Sequence, residues 1–144
     1  MRELGLEENV RLRGFIPIDA VPGMIATADV GVVPYRRNPF TDLLYPTKAF
    51  EYIVMGVPTV MSRSGAVVEL FHNIADMFVQ PEDVQELAAR LLELYREPGR
   101  RRRLLEAAQR AYAPYGWESQ RQTYLAVMEG MAAKHAVASK PEVL

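Results

Sequence analysis

Val30-Gly31-Val32-Val33-Pro34, followed downstream by Pro46-Thr47-Lys48-Ala49-Phe50-Glu51-Tyr52-Ile53-Val54-Met55-Gly56-Val57-Pro58-Thr59-Val60-Met61, is the stretch that decides the fold. Val30 to Val33 is apolar and largely β-branched with no polar alternation, the pattern of a strand buried on both faces in a parallel sheet. Pro34 ends it. Pro46-Thr47 opens a helix from about Thr47 to Met55, and Gly56 is its C-cap candidate. Val57 to Met61 reads as the next strand. Strand, helix and strand in this order imply a parallel pair with a right-handed crossover. The loop between, Pro34 to Tyr45, is polar, proline-bearing and aromatic; about a dozen residues is long for a compact domain and points to function.

Working outward, Val10, Leu12 and Gly14-Phe15-Ile16 suggest a short strand, and Pro22 marks a short helix over Val21 to Ala28. Downstream, Ser64-Gly65 is a tight turn before a helix at Val67 to Phe71, and Met77-Phe78-Val79 is a fourth strand. From Asp83 to Tyr95, apolar residues at Val84, Leu87, Ala88, Leu91, Leu92 and Tyr95 form a one-face stripe. Pro98 starts another helix with Leu104, Leu105, Ala108, Ala111 and Tyr112 inward; Pro114 and Gly116 break it. A last helix, about Glu118 to Ala133, carries Tyr124, Leu125, Met128 and Met131, and the pattern fades beyond Lys134. The fold class is therefore α/β: a partial doubly wound parallel sheet of about four strands, with flanking helices and a helical carboxy-terminal region. Residues 1–133 read as one Rossmann-like domain and 134–144 as a flexible tail.

Composition excludes several functions. The 144 residues are 49% hydrophobic and 24% charged with net charge −1, so no overall field attracts nucleic acid or an anionic membrane. There is no cysteine, which excludes disulfides and thiolate metal sites and fits a cytoplasmic protein. The start, Met-Arg-Glu-Leu-Gly-Leu-Glu-Glu, is too charged for a signal peptide, and no apolar run approaches the roughly 20 residues of a bilayer span. His72 and His135 lack ligand-like spacing, so no metal is expected. The run Arg100 to Arg103 spreads around a helix and reads as a solvated face; Trp117 reads as an anchor packed between helices.

In a parallel sheet, ligands bind at the carboxyl ends of the strands, which here release Pro34–Tyr45 and Ser62–Ala66 into helix starts. Helix starts suit phosphate, and two are expected to stand side by side and shape one pocket, at Thr47-Lys48 and Gly65-Ala66-Val67. Glu51 lies one turn after Thr47, where its carboxylate could accept from vicinal ribose hydroxyls, and Lys48 offers a point charge to a diphosphate. Spacing alone leaves the plainer readings open: Glu51 as a solvated or cap-pairing residue, Lys48 as surface, Gly65 as a turn-former.

The string Tyr45-Pro46-Thr47-Lys48-Ala49-Phe50-Glu51-Tyr52, continuing to Gly56-Val57-Pro58-Thr59-Val60, resembles the donor-site segment of glycosyltransferase family 4 (group 1), of the two-Rossmann-domain (GT-B) type. Ser64-Gly65-Ala66-Val67-Val68-Glu69 resembles the following turn, Val10 to Gly14 and Ala26 to Pro34 two earlier strands, Phe78 to Asp83 a later one, and Tyr115-Gly116-Trp117-Glu118 a late signal. The resemblance covers about residues 4 to 130 in order. It implies a retaining hexosyltransferase whose donor is a nucleotide-diphosphate sugar, with no further cofactor. It implies that Glu51 holds the ribose, and that main-chain groups around Pro46, Thr47 and Lys48, with Tyr45 and Gly65 beside them, face the diphosphate and sugar. The family's first glutamate falls at Leu43, with Asp42 adjacent but out of register. Two earlier strands, an Arg/Lys diphosphate grip and the amino-terminal acceptor domain have no counterpart here. The chain alone is thus expected to be inactive, to need that domain or a partner chain, and to risk self-association through an exposed sheet edge. The full enzyme would be cytoplasmic or membrane-peripheral. Two alternatives are a non-catalytic nucleotide-sugar-binding module or subunit and a fragment of a nucleotide-sugar 2-epimerase.

Overall fold

The computed structural model describes residues 2–138. Three short strands, β1 (Gly31–Val33), β2 (Thr59–Ser62) and β3 (Phe78–Val79), form one parallel sheet in that order. Gly31 stands opposite Thr59 and Val33 opposite Met61; on the other side Met61 faces Phe78 and Ser62 faces Val79. Helix α3 (Thr47–Val54) crosses from β1 to β2, and α4 (Gly65–Phe71) from β2 to β3. A short α1 (Val21–Ile25) and α2 (Pro39–Leu43) precede them; α5 (Val84–Arg96), α6 (Pro98–Tyr112) and α7 (Trp117–Ala138) complete the chain.

Every residue of β2 is buried, so the strand is covered on both faces. Around it pack Ile53 of α3, Phe71 of α4, Leu94 of α5, and Leu104 and Ala108 of α6. Full burial of the isoleucine, phenylalanine and leucine side chains contributes roughly 1.5–3 kcal/mol each. The two polar residues of β2 are satisfied locally: Thr59 Oγ1 donates to the Val57 carbonyl (3.2 Å), and Ser62 Oγ accepts from the Tyr35 amide (2.9 Å).

The structure corrects the sequence reading at several points. The expected strand over Val10 to Ile16 is irregular and exposed, with Phe15 97% accessible, leaving three strands among the described residues and not four. A strand needs a neighbour for its backbone groups, and this segment pairs with none. The Pro34–Tyr45 loop contains α2, because Asn38 closes a capping box: its Oδ1 accepts from the Phe40 and Thr41 amides, while Thr41 Oγ1 accepts from the Asn38 amide. α4 begins at Gly65, two residues before its expected start. α7 continues past Lys134 to Ala138, and 139–144 lie outside the described residues.

α5 is rotated from its expected phase. Leu87, Arg90, Leu91 and Leu94 face inward, whereas Val84, Ala88, Leu92 and Tyr95 are exposed. Both stripes have helical spacing; tertiary partners chose between them. Asp76, in the single turn before β3, receives Arg90 Nη1 at 2.7 Å and Arg100 in a two-bond fork at 2.8 Å. Arg100 Nη1 also lies 3.2 Å from Glu93. Arg100 is thus no member of a solvated face, and Arg101 donates to the Leu94 and Tyr95 carbonyls at the end of α5. Arg102 and Arg103 are exposed as expected. Trp117 is 76% accessible and packs between no helices.

The hydrogen bonds from Arg100, reinforced by the charges of Arg100 and Arg90, hold the Asp76 carboxyl below its ordinary range. A depressed carboxyl value means stability that is complete above the unfolded value and fades as pH falls through the folded one. Asp76→Asn is expected to lose about 1 kcal/mol near neutral pH, a figure kept small because solvent screens this half-exposed group. The urea midpoints of the two proteins should start to approach each other as pH drops below about 4 and should coincide only once pH has fallen through the lowered Asp76 value. A gap unchanged down to strong acid would show that the carboxylate charge is not what Asp76 contributes.

Candidate functional site

The segment that carries the expected site residues starts at Pro46, the buried, extended residue preceding α3. Among the described residues no side chain caps this helix; the Ala49 amide donates to the Pro46 carbonyl at 2.9 Å, and the Thr47 and Lys48 amides are left for solvent or a ligand. Lys48, Glu51 and Tyr52 project together from α3, as a spacing of three and four requires. With Val21, Met24 and Ile25 of α1 and Ile16 they line a cavity of about 430 Å³. Lys48 and Glu51 are exposed, and among the described residues neither makes an ion pair or side-chain hydrogen bond. A carboxylate and an ammonium without side-chain partners among the described residues thus share the rim of a largely apolar cavity.

The Tyr52 side of that cavity depends on Gly31. Tyr52 lies across β1, and a Cβ at residue 31 would come 2.6 Å from Tyr52 Cγ. Glycine is the one residue that lets the ring pack there, which explains an otherwise strand-weakening choice inside β1.

The other expected residues are not gathered around this cavity. Thr47 is exposed at the start of α3, and Leu43, at the end of α2, is 80% accessible. Tyr45 lines a second cavity of about 410 Å³ with Phe50, Tyr112 and Tyr115. Gly65 lines a third, of about 200 Å³, with Arg37, Arg63 and Gln80. The two helix starts therefore do not close on one pocket. α2 lies against α4, and the Asp42 carbonyl oxygen would sit 3.3 Å from a Cβ at residue 65.

A fourth cavity, about 360 Å³, occupies the carboxyl ends of the strands and was only partly anticipated. Pro34, Tyr35, Arg36 and Ser62 were on the expected loops; Gln80, Glu82 and Asp83, after β3, were not singled out as a site. Glu82 has a left-handed backbone, φ 65°, which for a non-glycine stores strain of order 1 kcal/mol or more. Arg36 reaches it at 3.8 Å. The signal available in sequence was the polar step Gln80-Pro81-Glu82-Asp83 directly following a buried strand.

Comparison with known proteins places this arrangement. The family described as glycosyl transferases group 1 matches residues 1–97, which include all three strands and the Lys48–Glu51 face. The chain belongs to the group 1 glycosyltransferases. It is 30% identical to an MMP alpha-(1->4)-mannosyltransferase of Mycolicibacterium hassiacum over 93% of this chain and 32% of that protein. It is 26% identical to the mannosylfructose-phosphate synthase of Agrobacterium fabrum, over 90% of this chain and 28% of the relative. A D-inositol 3-phosphate glycosyltransferase of Thermobispora bispora is 29% identical over 81% and 26%. The chain thus spans between a quarter and a third of the length of these curated relatives. A parallel α/β sheet with flanking helices and a helical carboxy-terminal region is consistent with half of a two-Rossmann-domain glycosyltransferase. Among the described residues, no helix is long and apolar enough to cross a membrane.

Proposed function

We propose that this part of a group 1 glycosyltransferase binds a nucleotide-diphosphate sugar, the donor for retaining glycosyl transfer. The observation that carries the reading is the unpaired Lys48–Glu51 face of α3 beside an apolar cavity. The Glu51 carboxylate accepts from both ribose hydroxyls, because two oxygens and no donor match a vicinal diol. Lys48 and the uncapped amides at Thr47 meet the diphosphate. Apolar Ile16, Met24 and Tyr52 cover the remainder of the nucleoside.

Transfer needs more than this. A departing diphosphate requires concentrated positive charge, and among the described residues Lys48 is the one cation lining the cavity. The acceptor-side domain, supplied by the same longer polypeptide or by a partner chain, completes the reaction; this chain alone transfers nothing. Mannosyl transfer in the names of two relatives makes GDP-mannose the first donor to test, with UDP-glucose beside it.

Calorimetric titration of the chain with GDP, UDP and both sugars measures the donor step. One nucleotide is expected to bind, and Glu51→Gln to weaken it by about tenfold, the equivalent of one charged hydrogen-bonding contact. Equal binding to wild type and Glu51→Gln, or binding of neither nucleotide, would remove the proposal. Turnover by the chain with no acceptor-side half added would remove its second part.

A further inference from the structure

The second cavity has a chemistry of its own. Tyr45, Phe50, Tyr112 and Tyr115 give it aromatic walls, Phe50 and Tyr112 stacking with centroids 5.2 Å apart. Glu69 and Gln120 are its polar side groups. Its volume, about 410 Å³, falls in the range of small-molecule sites. It also lies on the far side of α3 from the donor face. At about 100° per residue, Phe50 projects some 200° round the helix from Lys48.

We propose that this cavity is a separate binding site for a neutral sugar ring of a glycan. Three observations select that ligand. Among the described residues no lysine or arginine lines the cavity, and Glu69 contributes negative charge, so phosphates and nucleotides are disfavoured. The aromatic faces suit the C–H face of a pyranose, whose hydrogens carry slight positive charge against the ring quadrupole. The phenol hydroxyls of Tyr45, Tyr112 and Tyr115 make no hydrogen bond among the described residues and supply donors to sugar oxygens. The Glu69 carboxylate accepts from a vicinal diol. An organic cation would use the faces and the carboxylate but would leave every phenol donor without an acceptor. The site does not depend on the donor reading, because it shares no lining residue with the Lys48–Glu51 cavity.

The test is amide NMR of the isotope-labelled chain, titrated separately with maltose, methyl α-mannopyranoside, UDP, GDP and tetramethylammonium chloride. Saturable shifts at Glu69, Tyr112, Tyr115 and Gln120 are expected with one or both sugars. Tyr115→Ala and Glu69→Gln, both at exposed positions, should each weaken that binding by about tenfold with the melting temperature unchanged. The proposal is overturned if neither sugar gives a saturable shift at those amides, or if both variants bind as the wild type does. Stronger binding of tetramethylammonium than of either sugar would also overturn it. So would movement of the same four amides by UDP or GDP, since the donor would then reach this cavity. Shifts from nucleotides at Lys48 and Glu51 report on the donor site alone, so the two readings fail separately.

Discussion

Gly31→Ala is expected to destabilise the chain by about 1–3 kcal/mol, and Gly31→Val by more, seen as a lowered urea midpoint with an unchanged slope. Two effects of opposite sign compete at this position. Alanine in place of glycine restricts the unfolded chain, which by itself stabilises by about 0.4–1 kcal/mol. Against it stands overpacking: the new Cβ would lie 2.6 Å from Tyr52 Cγ. Cγ is the root of the ring, fixed by α3, so it cannot swing aside as the tip of a flexible side chain could. Packing therefore wins. The strain also moves the residue that floors the Lys48–Glu51 cavity, so nucleotide affinity should fall along with stability. Adding Tyr52→Ala to Gly31→Ala removes the clash, and the pair should cost less than the sum of the single changes. A Gly31→Ala protein with an unshifted or raised midpoint would mean that Tyr52 does not pack against β1.

The second large effect is expected at Ile53. It is 0% accessible and joins α3 to the sheet and to α6, where its carbonyl accepts from Gln109 Nε2 at 3.3 Å. Ile53→Ala removes buried methyl groups and leaves a cavity, a loss of about 2–5 kcal/mol. Domains commonly have only about 5–15 kcal/mol of net stability, so this change endangers the fold itself. Val54→Ala, one residue along on the same helix but 64% accessible, should stay within about 0.5 kcal/mol of wild type. Because the two positions share backbone, helix propensity and neighbours in sequence, the contrast isolates burial. Equal denaturation midpoints for the two variants would contradict the packing of α3 described above.

Much of this architecture was legible in the residues. The unalternating run around Val32 signalled a buried parallel strand, and the strand expected over Val57 to Met61 lies beside it, shifted to Thr59–Ser62. Pro46 and Gly56 bracket α3 as punctuation should; Gly56 takes φ 80°, a backbone that glycine alone adopts without strain. Leu104 and Ala108 were rightly assigned inward on α6. Glu51 and Lys48 share a face, as their spacing required. Resemblance to group 1 glycosyltransferases was carried by ordered short motifs, and the family match agrees with it.

What sequence alone determined here is local and periodic: the order and approximate place of most strands and helices, and which residues share one face of α3. These follow from φ/ψ restriction, missing amide donors and a 3.6-residue repeat, all properties of a few neighbouring residues. Tertiary structure decided the rest, because each remaining question concerns a partner distant in the chain. Residues 10–16 have strand-like character, yet no neighbour pairs with them. α5 offers two apolar stripes, and Asp76, Arg100 and Leu104 select the one bearing Arg90 and Leu94. Asp42 of α2 stands beside Gly65, so the start of α4 belongs to another cavity than the start of α3. Periodicity states which side chains travel together, and only packing between distant segments states what they meet.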